Sequence, residues 1–378
     1  MIRLTIPSID AEDLEAVQKA VSSGFLVQGQ RVAAFEQTVA DYVGTKYAIA
    51  VSNCTAALHL ALLALDVRPG DLVVVTTYSW IATANVIELC GAQPVFVDIQ
   101  PDTFNMSPEH LDETLKHLQS NAKTSSQVKA ILPVHTFGQM ANMSTIMALA
   151  EHYDVPVIED AACALGAKWD GRQAGTWGKM GCFSFHPRKA ITTGEGGMIT
   201  TNDPELAYRL RALRNHGQDP DALTPDFILP GFNYRMTEFQ AALGQTQMRK
   251  LDRIIAARRQ LSSHYDKLLR DTLIQTPVVS LASWPVYQSY VVMLPENLAT
   301  QQKEFIDRLK VQGIEAAIGT WHIPLTNYYR TRYNYRPGDF PVTDHVFNHA
   351  LTLPLYEILT PQEQETVIDG LINTGSLP

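Results

Sequence analysis

The chain reads as an α/β protein: a large mixed, mostly parallel sheet flanked by helices, followed by a smaller C-terminal α+β domain. Three observations predict this. Short Val- and Ile-rich runs alternate with segments whose apolar residues recur at helical spacing, as expected for strands buried on both faces. Near residue 237 the alternation gives way to one long helical pattern. The length of 378 residues allows a large core and two domains, placed here at 1–245 and 246–378.

The elements follow in order. Residues 10–22 carry Leu14, Val17 and Val21 at helical spacing. A short apolar strand over 47–51 leads into a helix over 55–65. Val-rich strands at 72–76 and 94–97 enclose a helical segment at 82–90. Strands at 130–134 and 155–160 enclose a helix at 143–152. Another short apolar strand precedes Lys189. The long helix runs from 237 to about 268, with Phe239, Leu243, Leu251 and Ile254 as its apolar positions. A strand at 287–293, a helix at 302–312 and a loop-rich section with many Tyr and Pro complete the chain. No internal repeat or low-complexity tract interrupts it.

Composition narrows the function. With 46% hydrophobic and 18% charged residues, the chain is an ordinary globular protein and not a disordered one. No apolar run approaches the ~20 residues of a membrane helix, and the N-terminal residues lack a signal-peptide pattern. Cys54, Cys90, Cys163 and Cys182 have no close paired spacing, so neither a zinc site nor a disulfide framework is expected. A reduced, cytoplasmic setting follows. A net charge of −9 argues against nucleic-acid binding but allows an anionic small substrate, which needs only a local group of donors.

Four segments carry the chemistry. Ser52-Asn53-Cys54-Thr55-Ala56 follows a strand and opens a helix, so its free backbone amides suit either an ordinary cap or a phosphate. Thr77-Tyr78-Ser79-Trp80-Ile81-Ala82-Thr83-Ala84 lies at the next such junction, where Trp80 can stack on a flat ring or simply fill an interface. Asp160 closes the strand Val155-Pro156-Val157-Ile158-Glu159-Asp160 and is followed by small residues. A carboxylate there either caps a helix or meets a cation, because an ionised group against an apolar strand needs a partner. The fourth segment runs from Cys182 to Gly197 and holds Lys189 between an apolar strand and a Thr/Gly-rich turn. Most lysines are solvated, but Phe183, Phe185 and Ile191 surround this one with apolar sequence. An amine and a carboxylate on neighbouring strand ends match what pyridoxal phosphate (PLP) requires: a Schiff-base lysine and an acid that keeps the pyridine nitrogen protonated.

These segments, with Gly231-Phe232-Asn233-Tyr234-Arg235-Met236-Thr237-Glu238, Gly24-Phe25-Leu26-Val27-Gln28-Gly29 and residues 341–359, resemble the DegT/StrS family of PLP-dependent sugar aminotransferases over nearly the whole chain. The resemblance implies a fold-type I homodimer whose active site lies at the subunit interface. Lys189 would carry the cofactor and later move the proton, and Asp160 would pair with the ring nitrogen. Thr55, Ser184 and the amides of Cys54 and Thr55 would hold the phosphate, and Trp80 would stack on the ring. Asn233 would reach the phosphate of the neighbouring subunit's cofactor. Cys163 departs from the family pattern, which has Gln or His there to contact the ring oxygen. A thiol is a weak donor, so that contact is expected to be lost or passed to another group.

The turn Thr192-Thr193-Gly194-Glu195-Gly196-Gly197 resembles enzymes that aminate C4 of 4-keto-6-deoxy nucleotide sugars, with glutamate as amino donor. His186, Arg188 and His322 are candidates to meet the sugar or its diphosphate, beside the plainer readings of surface charge or a structural histidine. A related sugar dehydratase has His in place of the lysine, and Lys189 argues against it. A C3 sugar aminotransferase, a keto-inositol aminotransferase and a PLP-fold regulator without turnover stay open on sequence.

Overall fold

The computed structural model describes residues 1–121, 124 and 127–374. Seven strands form the central sheet: β1 Tyr47–Val51, β2 Leu72–Thr76, β3 Gln93–Val97, β4 Val128–Leu132, β5 Ile158–Asp160, β6 Met180–Ser184 and β7 Gly197–Thr201. β3, β2 and β4 pair in parallel. Parallel bridges Ile131↔Val157 and Val134↔Asp160 join β4 to β5, which pairs in parallel with β6. β7 then lies antiparallel between β6 and β1. The order is therefore β3-β2-β4-β5-β6-β7-β1, with β7 alone reversed. Its reversal follows from its connection: β6 and β7 are joined by the lysine-bearing turn, without the helical crossover that links parallel neighbours.

Most expected elements stand where the patterning puts them, and the differences have local causes. The first is at β4, which begins two residues early, its extended chain continuing through the Val134 bridge. β5 is short because Pro156 has no N–H for a ladder; only its carbonyl is used, accepting from Ile131 N at 2.9 Å. The strand expected at 287–293 is confined to β8, Tyr290–Met293, because Tyr287 adopts φ 48°. Several helices lie outside the elements expected from sequence, among them Gln30–Val43, Pro108–Ser120, Pro204–Arg214, Pro341–His349 and Pro361–Thr374. Gln30–Val43 buries Val32, Phe35, Val39, Ala40 and Val43, a helical stripe. Pro108–Ser120 has Ser107 as N-cap and Pro at its first position, and buries Leu111, Leu115 and Leu118.

The helix Glu238–Leu268 begins with a Thr237/Gln240 capping box. Its far half places Leu261 and Tyr265 in an apolar cluster with Leu351, Leu353, Val367 and Leu371. A second sheet stands there, with β9 Ala317–Ile318 and β10 Ala350–Leu353 in the antiparallel order β8-β10-β9. Residues 375–378 of the expected second domain lie outside the described residues.

Candidate active site

Six of the seven strands run the same way, so their C-terminal ends share one edge of the sheet, where α/β folds place ligands. The segments after β1, β2, β4, β5 and β6, and the start of β7, all emerge on that edge. This is why residues scattered from 53 to 197 meet.

On β5 successive side chains face opposite sides of the sheet. The Glu159 carboxylate, fully buried, accepts the amides of Trp177 at 2.7 Å, Gly175 at 2.8 Å and Gly178 at 2.9 Å, and lies 2.9 Å from His135 Nε2. Ala141 N donates to His135 Nδ1 at 3.3 Å, so Nε2 carries the hydrogen that Glu159 accepts. This anchor fixes the strand end and leaves Asp160 on the other side. Asp160 is 3% exposed. Its Oδ2 accepts from Thr83 Oγ1 at 2.8 Å and its Oδ1 from Ala162 N at 3.2 Å. Burial pushes the Asp160 carboxyl up, and the hydrogen bonds from Thr83 and Ala162 with the nearby charge of Lys189 only partly offset it.

Lys189 is half-buried, and its Nζ donates to Cys163 Sγ at 3.0 Å. Burial works against its ammonium form, but the acidic groups around it, led by Cys163 and including Asp160, outweigh burial and hold the amine above its ordinary range. The loop carrying it is tied by its own threonines. Thr192 Oγ1 donates to Phe185 O at 2.9 Å and accepts from Gly194 N at 3.0 Å, and Gly194 takes φ +82°.

The helix Cys54–Ala64 starts at the same edge. Asn53 Oδ1 accepts from Ala56 N at 2.8 Å, leaving the amides of Cys54 and Thr55 without a partner among the described residues. Gly197 passes directly beneath: a Cβ there would lie 2.5 Å from Asn53 C and O and 2.8 Å from Cys54 N. Ser184, half-buried at the end of β6, accepts from His186 N at 3.4 Å.

The remaining expected residues are more scattered. Trp80 is 62% exposed beside the helix Ala82–Leu89 that carries Thr83. His186 Nδ1 accepts from Arg188 N at 3.2 Å, and burial lowers its pKa. Arg188 is exposed, its carbonyl accepting from Gln288. His322 is 3% exposed, with Nε2 3.1 Å from Asp344 Oδ1 and its ring against Phe340 and Phe347. Asn233 is exposed, its Oδ1 accepting from Arg235 Nε at 3.0 Å. Thr83 is the site residue missed from sequence. It lies within the Trp80 segment, one helical turn after Ser79, to which it is hydrogen-bonded at 3.0 Å.

The geometry therefore offers an amine, a buried carboxylate with no cation hydrogen-bonded to it among the described residues, and open amides at a helix start. A model of the DegT/DnrJ/EryC1/StrS aminotransferase family matches residues 7–372. The chain is 41% identical to GDP-perosamine synthase of Caulobacter vibrioides over 318 residues, covering 83% of each protein. Among solved structures, a DegT DnrJ EryC1 StrS aminotransferase from Brucella abortus superposes with TM-score 0.88 at 31% identity, covering 96% of this chain and 95% of the other. Helicobacter pylori PseC, an aminotransferase of pseudoaminic acid biosynthesis, superposes with TM-score 0.90 at 26% identity, covering 98% of both chains. The residues present fit PLP. Asp160 lacks the cation that a pyridinium supplies, two amides await an anion, and a glycine stands where a side chain would displace that helix start. The chain belongs to the DegT/DnrJ/EryC1/StrS aminotransferase family and is a PLP-dependent transaminase.

Proposed function

We propose that the chain aminates the keto carbon of a nucleotide-linked sugar, at C4 of a 4-keto-6-deoxy sugar, with glutamate as the amino donor. The observation that carries this is the meeting of Lys189, Cys163 and Asp160 at one strand edge. The name of the Caulobacter relative and the Thr192–Gly197 turn support a sugar-nucleotide substrate.

When bound, PLP supplies a carbonyl that takes up amines and a ring that accepts the electron pair released at the adjacent carbon. Lys189 would hold the cofactor before the amino donor arrives and then carry a proton with its freed Nζ between the two carbons of the exchange. Asp160 would keep the ring nitrogen protonated, with Thr83 holding its carboxylate in the ionised form. Cys54, Thr55 and Ser184 would hold the phosphate and Trp80 would cover the ring. Cys163, in the position of the family's ring-oxygen donor, would instead hold the Lys189 amine. Asn233, exposed on one chain, would complete the phosphate site of a second in a homodimer. His186 and Arg188, on the lysine loop, and His322, from the segment paired with Tyr78, would meet the sugar or its diphosphate. No helix among the described residues is long and apolar enough to cross a membrane.

Glutamate added to the PLP-loaded protein should convert its visible absorbance to that of the pyridoxamine form. Lys189→Ala should lower the conversion rate about 10²–10⁴-fold, the usual share of a positioned acid–base group. No conversion by the unmodified protein overturns the glutamate assignment. A panel of 4-keto and 3-keto nucleotide sugars and keto-inositol, read by mass spectrometry, tests the acceptor. Amination of a 3-keto sugar or keto-inositol alone overturns the C4 reading.

A further inference from the structure

The last turn of the helix Pro341–His349 places His345 and His349 four residues apart on one face. Their rings stack with centroids 4.1 Å apart and planes at 30°. Across from them stands Glu296, at the head of the short turn Glu296–Gln301. Its Oε1 lies 3.5 Å from His345 Nδ1 and its Oε2 3.3 Å from His349 Nε2. One ligand atom from each of the three residues lies within 4.8 Å of the others. Around a tetrahedral zinc ion with bonds of ~2.0–2.1 Å, neighbouring ligand atoms stand about 3.3–3.4 Å apart.

The hydrogen positions sharpen the case. His349 Nδ1 lies 2.6 Å from the carbonyl oxygen of His345, which only accepts, so Nδ1 carries the hydrogen. In the neutral ring Nε2 then presents a bare lone pair. His349 is 5% exposed, and its Nε2 is buried with no hydrogen-bond partner among the described residues, the Glu296 oxygen at 3.3 Å being out of alignment. The His349 nitrogen is itself buried, and its bare lone pair is repelled by the exposed Glu296 carboxylate oxygen 3.3 Å away unless a cation lies between them. A backbone carbonyl holding the far N–H is also how metal-bound imidazoles are oriented.

We propose that Glu296, His345 and His349 bind one zinc ion, with water in the fourth position. Two imidazoles favour zinc over magnesium or calcium, which take oxygen ligands. The ion would fasten the end of the helix to the segment before Gln302–Val311. That junction is already tied by Gln302 Nε2, which donates to Phe347 O at 3.0 Å and Ala350 O at 2.6 Å. The other end of the helix is held separately, its Val342 and Thr343 amides donating to Asp98 at 3.0 and 2.9 Å. The ion would therefore act as a clamp on this helix end.

The test uses the PLP-loaded protein, dialysed against a chelator and titrated with zinc chloride in a calorimeter. Cobalt(II) serves as a visible-absorbing stand-in. One ion per chain should bind and raise the melting temperature. Glu296→Gln, at a side chain 80% exposed and so tolerant of change, should weaken binding about tenfold or more. His345→Ala should do the same. Absence of saturable binding, or equal binding by both variants, overturns the proposal. So does a melting temperature that follows pH through the histidine range and ignores zinc, because a proton on His349 Nε2 would then be the missing cation.

Discussion

Replacing Thr83 with Val keeps the shape of the side chain and removes one donor from the Asp160 carboxylate. The bond lost is buried and charge-assisted, 2.8 Å long, between Thr83 Oγ1 and Asp160 Oδ2. Such bonds contribute about 1.5–3 kcal/mol. At about 1.4 kcal/mol per factor of ten, ionised Asp160 becomes harder to maintain by about 10- to 150-fold. The cofactor needs the ionised form, so its affinity should fall by that factor, measured by titrating cofactor-free protein with PLP and following fluorescence. The cofactor-free variant should fold normally by circular dichroism, because Asp160 then takes up a proton and sheds its unpaired charge. PLP affinity within about twofold of the unmodified protein would refute the role of Thr83. A variant that loses cofactor only because it melts would refute it equally.

Other expectations follow from the same geometry. The folded-state pKa of Asp160 is raised by burial, so its contribution to stability is present below the ordinary carboxyl range and lost as pH rises through the raised value. Asp160→Asn should therefore make the cofactor-free protein more stable than the unmodified chain, by a margin that opens as pH rises. A margin independent of pH in calorimetric scans would contradict this. Gly197→Ala would put a Cβ 2.5 Å from Asn53 C and O, so PLP affinity should drop about tenfold or more, read by the same titration. Glu238→Ala should cost about 3 kcal/mol or more in urea unfolding, because that carboxylate accepts the amides of Gly29 at 2.7 Å, Val32 at 2.9 Å and Arg31 at 3.1 Å.

The Glu238 contacts show how far sequence patterning reaches. The helix Gln30–Val43 has Gly29 as its N-cap, with no side-chain cap of its own, and takes its acceptor from a residue more than 200 positions away. Its apolar stripe at Val32, Phe35, Val39 and Val43 lies outside the elements read from the sequence, and its cap is not local at all. By contrast, β5 and its carboxylates are readable as an apolar run ending in acid. The division of labour between Glu159, locked to His135 and three amides, and Asp160, left open, depends on which face of the sheet each meets. Thr83 shows the same limit, since nothing local distinguishes it from Thr77 or Ser79. Cys163 departs from the family pattern on sequence, but its contact with Lys189 is a tertiary fact.

By itself the sequence determined the alternation of strands and helices, the long helix after residue 237, and which residue types could do chemistry. These follow from apolar periodicity and side-chain identity, which act within a few residues. The tertiary structure decided the reversed course of β7, the convergence of five strand ends on one edge, the Thr83–Asp160 and Cys163–Lys189 contacts, and the facing of Glu296 by two histidines. Those depend on strand register and crossover direction, which bring together residues whose separation along the chain carries no trace of their contact.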